Sequence, residues 1–160
     1  MIKGNPYRKK LHSGDVFVIN YPRDMMVPVL VARARPCIED PVLANFLVYV
    51  YNMVQKCSGS AIDLDRANLM FPPMVINRLG WSWGYFEKLE FDRDLAMSYV
   101  MEEHSFACRI CSSAPCINEW RQPVACGSGT LRYEVGNANF LDVKIAGRMG
   151  WDKELAGRHP

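Results

Sequence analysis

The residues best able to do chemistry are cysteines. The chain carries six, Cys37, Cys57, Cys108, Cys111, Cys116 and Cys126, and four of them follow His104 closely in HSFACRICSSAPC and the stretch beyond. Four thiolates can enclose a tetrahedral zinc, and Cys108-x-x-Cys111 has the spacing with which one knuckle turn offers two sulfurs to a single ion. The other half fits less well. Structural zinc usually takes its remaining ligands from a second close pair, whereas nine residues lie between Cys116 and Cys126. Cys-Arg-Ile-Cys also lacks the strand-then-helix setting that lowers the pKa of a redox thiol. The cysteines are therefore expected to be reduced and structural, with Cys108, Cys111, Cys116 and Cys126 as the zinc alternative and no cofactor otherwise.

Other catalytic chemistry is sparse. His12, His104 and His159 are too scattered for a histidine-centred site, and His104 beside Glu102 and Glu103 reads as a surface histidine before it reads as a base. None of Ser13, Ser58, Ser60 and Ser128 sits in a nucleophile elbow. Gly127-Ser128-Gly129-Thr130 has no lysine where a phosphate loop needs one. These patterns do not state an enzyme.

Composition narrows the remaining classes. The 160 residues are 49% apolar and 22% charged, which suits one folded domain over 1–160. A net charge of +2 argues against a uniformly basic surface for nucleic acid. No window approaches the roughly 20 apolar residues of a membrane span, and MIKGNPYRKK lacks the apolar stretch of a secretory signal, so the expected location is the cytoplasm.

The near-neutral total hides a dipolar chain. Residues 1–35 hold seven basic side chains against Asp15 and Asp24, a local charge of +5, while residues 87–103 set six acids against Lys88 and Arg93, a local charge of −4. Just before the acidic run stands Trp81-Ser82-Trp83-Gly84-Tyr85-Phe86, with four aromatics in six residues. Core packing accounts for some of these rings, but four cannot all point inward from one strand, and exposed Trp and Tyr serve as interface anchors.

These residues need elements to position them. GDVFVINYP reads as a turn and a strand stopped by Pro22, and VLVARAR between Pro28 and Pro36 as a second, half-exposed strand. ANFLVYVYNMV over 44–54 is apolar on both sides, as a central strand would be. Asp63 is placed to cap a short helix over about 63–70, ended by Pro72 and Pro73. Gly84 marks a tight turn feeding a strand, and DRDLAMSYVMEE over 92–103 a short helix starting near Asp92 or Asp94. TLRYEV and NFLDVKIAG read as two β runs turning at Gly136-Asn137, with a frayed tail behind them. The expected class is α+β: a strongly bent antiparallel sheet, partly barrel-like, with one or two short helices.

Gly14-Asp15-Val16-Phe17-Val18-Ile19 resembles the opening of immunity-protein family 26, found beside bacterial polymorphic and contact-dependent toxins. The likeness continues in order through Leu47-Val48-Tyr49-Val50-Tyr51 and through Pro72-Pro73-Met74-Val75-Ile76-Asn77-Arg78 with Trp81, Gly84, Tyr85 and Phe86. His104-Ser105-Phe106 echoes a further His-x-Phe element. It spans about residues 14–106 and leaves out the cysteine-bearing last third. The resemblance implies a non-enzymatic cytoplasmic protein that binds a cognate toxin's C-terminal domain and blocks it, with no membrane and no direct nucleic-acid contact. Its partner surface is expected at Trp83, Tyr85, Glu87, Glu90, Asp92, Asp94, Glu102 and Glu103, where acids would mimic the phosphates that a nuclease domain holds. Two other classes stay open. One is a zinc-stabilised binding module. The other is a small ribonuclease, since Gly14-Asp15-Val16 and Pro28-Val29-Leu30-Val31 are also similar to the opening of MazF-type ribonucleases.

Overall fold

Val16–Tyr21 forms strand β1 because β-branched and aromatic residues alternate there without a helix former, and Asp15 and Pro22 bound the run. The computed structural model of the chain describes residues 1–34, 45–56, 62–107, 116–118, 122–126, 130–132 and 135–151. After β1 come β2 (Met25–Arg33), β3 (Asn45–Val50), β4 (Val54–Gln55) and β5 (Met74–Asn77). Helix α1 (Leu79–Ser82), strand β6 (Phe86–Lys88) and helix α2 (Arg93–Ser98) follow. The last part holds β7 (Ser105–Ala107), β8 (Cys116–Asn118), β9 (Pro123–Val124), β10 (Leu131–Arg132), β11 (Val135–Gly136) and helix α3 (Ala138–Met149).

The architecture is α+β and strand-rich. The main sheet runs β11-β5-β3-β2-β1-β6, with β4 as an extra partner of β2, and a second sheet runs β10-β7-β8-β9. Pairing is antiparallel except for two short parallel pairs, β11 with β5 and β10 with β7. Among the described residues the main sheet does not close; β11 and β6 are its two edges.

Both faces of the main sheet are buried. Phe17, Ile19, Val27, Val29, Phe46, Val48 and Ile76 pack on one face with Trp81, Phe86, Leu141 and Ile145. Val16, Leu30, Leu47, Tyr49 and Val75 pack on the other with Ala96 and Phe106. β2 therefore differs from its expected form. It starts at Met25, runs through Pro28 and is buried from Met26 to Ala32 rather than half-exposed. Proline is tolerated because β2's partner changes there from β3 to β4, Val29 pairing with Val50 and Met26 with Val54. The carbonyl of Pro28 still accepts the Tyr51 N–H at 3.0 Å.

The expected helix over 63–70 contracts to a 3-10 turn over Arg66–Asn68, capped by Asp65 rather than Asp63. The expected hairpin at Gly136-Asn137 is overturned. Gly136 ends β11, and Asn137 caps α3 by accepting the Phe140 N–H at 2.9 Å, the ordinary duty of an asparagine at a helix start. Ala138, Leu141 and Ile145 then fall on one buried face at helical spacing. Gly150, with φ at 71°, ends the helix in the left-handed conformation that glycine adopts without strain.

The cysteine expectation is corrected as well. Cys116 and Cys126 are joined in a disulfide, so neither presents a thiolate and the four-sulfur zinc set cannot assemble around them. Cys37, Cys57, Cys108 and Cys111 lie outside the described residues, as does the tail after Trp151. The bond ties β8 to the chain just beyond β9, next to the Cys116–Val124 register pair. Closing so short a loop removes denatured-state freedom, so the Cys116→Ser/Cys126→Ser variant is expected to lose about 2–3 kcal/mol in urea unfolding. An unchanged midpoint would show that the bond contributes nothing.

A candidate partner-binding surface

The region flagged by the aromatic run begins where β5 ends. Asn77 is 7% exposed, and its Oδ1 accepts the Leu79 N–H at 3.0 Å, starting the single turn of α1. Helical geometry then sends Trp81 and Trp83 in different directions. Trp81 is fully buried, stacked on Phe86 at 4.4 Å between centroids, with Phe17 at 5.7 Å and Phe46 at 5.3 Å. Trp83 is 38% exposed and meets half-buried Tyr85 edge-on at 6.4 Å. Gly84 makes the reversal possible. Its φ is 83°, its carbonyl accepts the Gly4 N–H at 2.8 Å, and a Cβ there would collide with the Gly4 carbonyl. Only a residue without a side chain meets both conditions.

β6 and the chain after it carry the acids. Glu87, Glu90, Asp92 and Asp94 are all exposed. Asn20 Nδ2 donates to Glu87 Oε2 at 2.7 Å, and Asp92 Oδ1 caps α2 by accepting the Leu95 N–H at 2.8 Å. Asp92 therefore has a structural duty besides its charge. Glu102 and Glu103, also exposed, lie elsewhere, at the end of β2, where Arg33 Nη2 donates to the Met101 and Glu102 carbonyls at 3.1 and 3.0 Å. The structure thus brings Trp83 and Tyr85 together and ties Glu87 to β1, leaves Glu90, Asp92 and Asp94 exposed on the segment that leads into α2, and holds the Glu102 carbonyl against the end of β2.

The cations of this segment are already engaged. Lys88 Nζ lies 2.6 Å and Arg93 Nη2 2.8 Å from Asp15 Oδ1, and the His12 N–H donates to Asp15 Oδ2 at 2.9 Å. Asp15 is 1% exposed. Burial pushes its carboxyl upward, but Lys88, the His12 N–H and Arg93 outweigh burial and hold it below the usual carboxylate range, since contacts to the charged form favour ionisation. Lys88 and Arg93 are thus both drawn to one buried anion, and among the described residues none of Glu87, Glu90, Asp92 and Asp94 forms an ion pair.

Sequence reasoning missed a cavity of about 540 Å³ beside β6. Gly4, Tyr7, Asn20, Asp24, Lys56, Tyr85 and Glu87 are among its walls. Nothing local links these positions, since four separate parts of the chain supply them. Asp24 in its wall, and Arg23 before it, adopt φ of 55° and 62°, uncommon for residues with side chains.

Other buried polar groups serve the fold. His104 is 3% exposed, not a surface residue, and its Nε2 lies 2.7 Å from Tyr49 Oη. Tyr21 donates to Asp142 Oδ1 at 2.8 Å, pinning β1 to α3. Burial and the Asp142 charge raise the Tyr21 pKa, because both disfavour a phenolate. Among the described residues, no group of three or more His, Cys, Asp or Glu is placed to hold a metal ion, and no helix is long and apolar enough to cross a membrane.

No family model matches the chain, and neither any curated protein nor any solved structure matches it. Function must be read from the surface itself.

Proposed function

We propose that this chain is a non-enzymatic cytoplasmic inhibitor of the immunity-protein type, which binds the C-terminal domain of a cognate bacterial toxin, a nuclease domain, and occludes its active cleft. The observation that carries this reading is that Trp83 is exposed just ahead of β6 and that four exposed acids follow it in the chain, while Lys88 and Arg93 between them are bound to Asp15. Trp and Tyr supply the anchoring area of interfaces, and an uncompensated acidic patch accelerates capture of a basic protein. A nuclease domain is such a protein, because it must hold phosphates.

Co-expression with the variable C-terminal domain of a secreted protein encoded in the neighbouring open reading frame is expected to restore growth. Failure to bind or rescue overturns the reading. With that domain in hand, the Glu90→Lys/Asp94→Lys variant is expected to bind about 10- to 100-fold more weakly, mostly through a slower on-rate, and with a shallower salt dependence. Surface plasmon resonance at two ionic strengths measures both, and unchanged kinetics would move the contact off these acids.

A further inference from the structure

We propose that the cavity beside β6 is a binding site for a small zwitterion of net positive charge on an apolar or aromatic body, the chemistry of a free dipeptide that joins a basic to an aromatic residue. It adds a small-molecule site to the chain and stands whether or not a protein partner binds.

At about 540 Å³ the cavity falls inside the roughly 300–1,000 Å³ of small-molecule sites, and backbone hydrogen bonds tie its walls in place. The segment ahead of β1 is strapped to β1, α1 and Gly84. The Ile2 N–H donates to the Asn20 carbonyl at 2.7 Å, the Gly4 N–H to the Gly84 carbonyl at 2.8 Å and the Tyr7 N–H to the Trp81 carbonyl at 2.9 Å. The Tyr7 ring meets Phe17 edge-on at 5.1 Å between centroids. Just past β4, the Lys56 N–H donates to the Asp24 carbonyl at 2.7 Å, which makes these two wall residues neighbours. Walls held in this way form the site before a ligand arrives.

The lining selects the ligand. Pro6, Met25, Tyr7 and Tyr85 supply apolar and aromatic surface, and Asp24, Lys56, Glu87 and Lys88 supply charge. Lys88 is balanced, since its Nζ lies 2.6 Å from Asp15 Oδ1. Among the described residues Asp24, Lys56 and Glu87 form no ion pair, although the first two are neighbours of opposite sign. Two carboxylates and one ammonium are thus left for solvent or a ligand. Their complement is two cations and one carboxylate, the charges of a dipeptide with one basic side chain. Lys56 takes the ligand's carboxylate, and Asp24 and Glu87 take its cations. Asn20 Nδ2 donates to Glu87 Oε2 at 2.7 Å, which steadies that carboxylate and leaves Oε1 for the ligand. Tyr7 and Tyr85 offer rings against which an aromatic side chain packs or a guanidinium stacks. An anionic ligand would meet two carboxylates here, and a wholly apolar one would strip water from three charges without replacing it.

An NMR titration of the full chain, with calorimetry for affinity, tests the site. The probe is the dipeptide Arg–Phe. Citrulline–Phe removes its side-chain cation, the C-terminal amide of Arg–Phe removes its carboxylate, and Glu–Phe reverses its side-chain charge. Arg–Phe is expected to shift the Gly4, Lys56, Gly84 and Glu87 amides saturably. The citrulline peptide and the amide should each bind at least about fivefold more weakly, and Glu–Phe more weakly still. Two variants assign the charges. Lys56→Gln is expected to erase the preference for the acid over the amide, and Asp24→Asn/Glu87→Gln the preference for arginine over citrulline. All three side chains belong to exposed residues, so the urea midpoints should hold, and a general loss of folding would not remove one preference while sparing the other. Equal affinity for Glu–Phe would overturn the charge complement. A preference for the acid that persists in Lys56→Gln would overturn Lys56 as the carboxylate site. Saturable shifts elsewhere, or none with any peptide, would make the cavity a water-filled cleft and overturn the site, while the co-expression rescue decides the toxin-binding reading separately.

Discussion

Replacing Trp81 with alanine is expected to lower the unfolding free energy by about 3–5 kcal/mol, the range for emptying a large aromatic site in a packed core. Trp81 has no exposed surface and touches three other rings, Phe17 on β1, Phe46 on β3 and Phe86 on β6, so the cavity would open where three strands and α1 converge. The same site contains a flaw. Among the described residues the buried Nε1 of Trp81 finds no hydrogen-bond partner, and an unsatisfied buried donor is itself destabilising. Trp81→Phe keeps a stacking ring and removes that N–H, so it should cost less than about 2 kcal/mol. Urea unfolding followed by far-UV circular dichroism measures both variants. Equal losses would mean that a phenyl ring recovers none of the packing and that removing the N–H brings no relief. Because Phe86 stacks directly on Trp81, the alanine variant should also loosen the start of β6 and weaken partner binding.

The contrast between Trp81 and Trp83 shows where local sequence stops informing. Both stand in one short aromatic run, and composition could say only that the rings must divide between core and surface. Which one is buried follows from a single helical turn whose start depends on the Asn77 side chain and whose end depends on Gly84 packing against Gly4. Strands β1 and β3 were legible because a buried strand has the same apolar texture wherever its partners lie. β2 was legible in part, since Pro28 reads locally as a boundary and becomes tolerable only through the partner change opposite it.

α3 was misread although its signals are present. Asn137, the Ala138, Leu141 and Ile145 spacing, and Gly150 make up a capped amphipathic helix. Reading Gly136-Asn137 as a hairpin turn concealed that spacing. The disulfide between Cys116 and Cys126 was missed because the expectation of a cytoplasmic location argued for thiols, and no local spacing rule pairs these two residues.

Many residues that carry the likeness to an immunity-protein family turn out to hold the fold. Gly14, with φ at 84°, lets the chain pass against Arg93; Phe17, Trp81 and Phe86 fill one core; and Arg78 Nη2 donates to the Arg8 and Lys9 carbonyls at 3.1 and 2.7 Å. His104 and Phe106 lie inside.

Asp15 is the position where this scaffold meets electrostatics, and Asp15→Asn is expected to cost about 2–3 kcal/mol at neutral pH. The cost stays below that of a fully buried ion pair because Lys88 and Arg93 can turn to solvent, their side chains being 32% and 54% exposed. The pH dependence separates charge from shape. Asp15 in the folded chain titrates below its unfolded value, so the folded state holds fewer protons there than the unfolded state does. Its contribution is therefore complete above the unfolded pKa and is lost as the pH falls through the lower folded pKa. The stability difference between the parent chain and Asp15→Asn should be flat from about pH 7 to about pH 5 and shrink below about pH 4. Salt should change it little, because the carboxylate is buried. Urea midpoints across that pH range measure the difference, and one that persisted unchanged into acid would assign Asp15's role to its hydrogen-bonding shape alone. Loss of the charge has a second consequence at β6. Without Asp15, the Lys88 ammonium and Arg93 guanidinium become free to pair with Glu87, Glu90, Asp92 or Asp94. These acids would then be partly neutralised, and Asp15→Asn should slow association with a basic partner although residue 15 itself is buried out of reach.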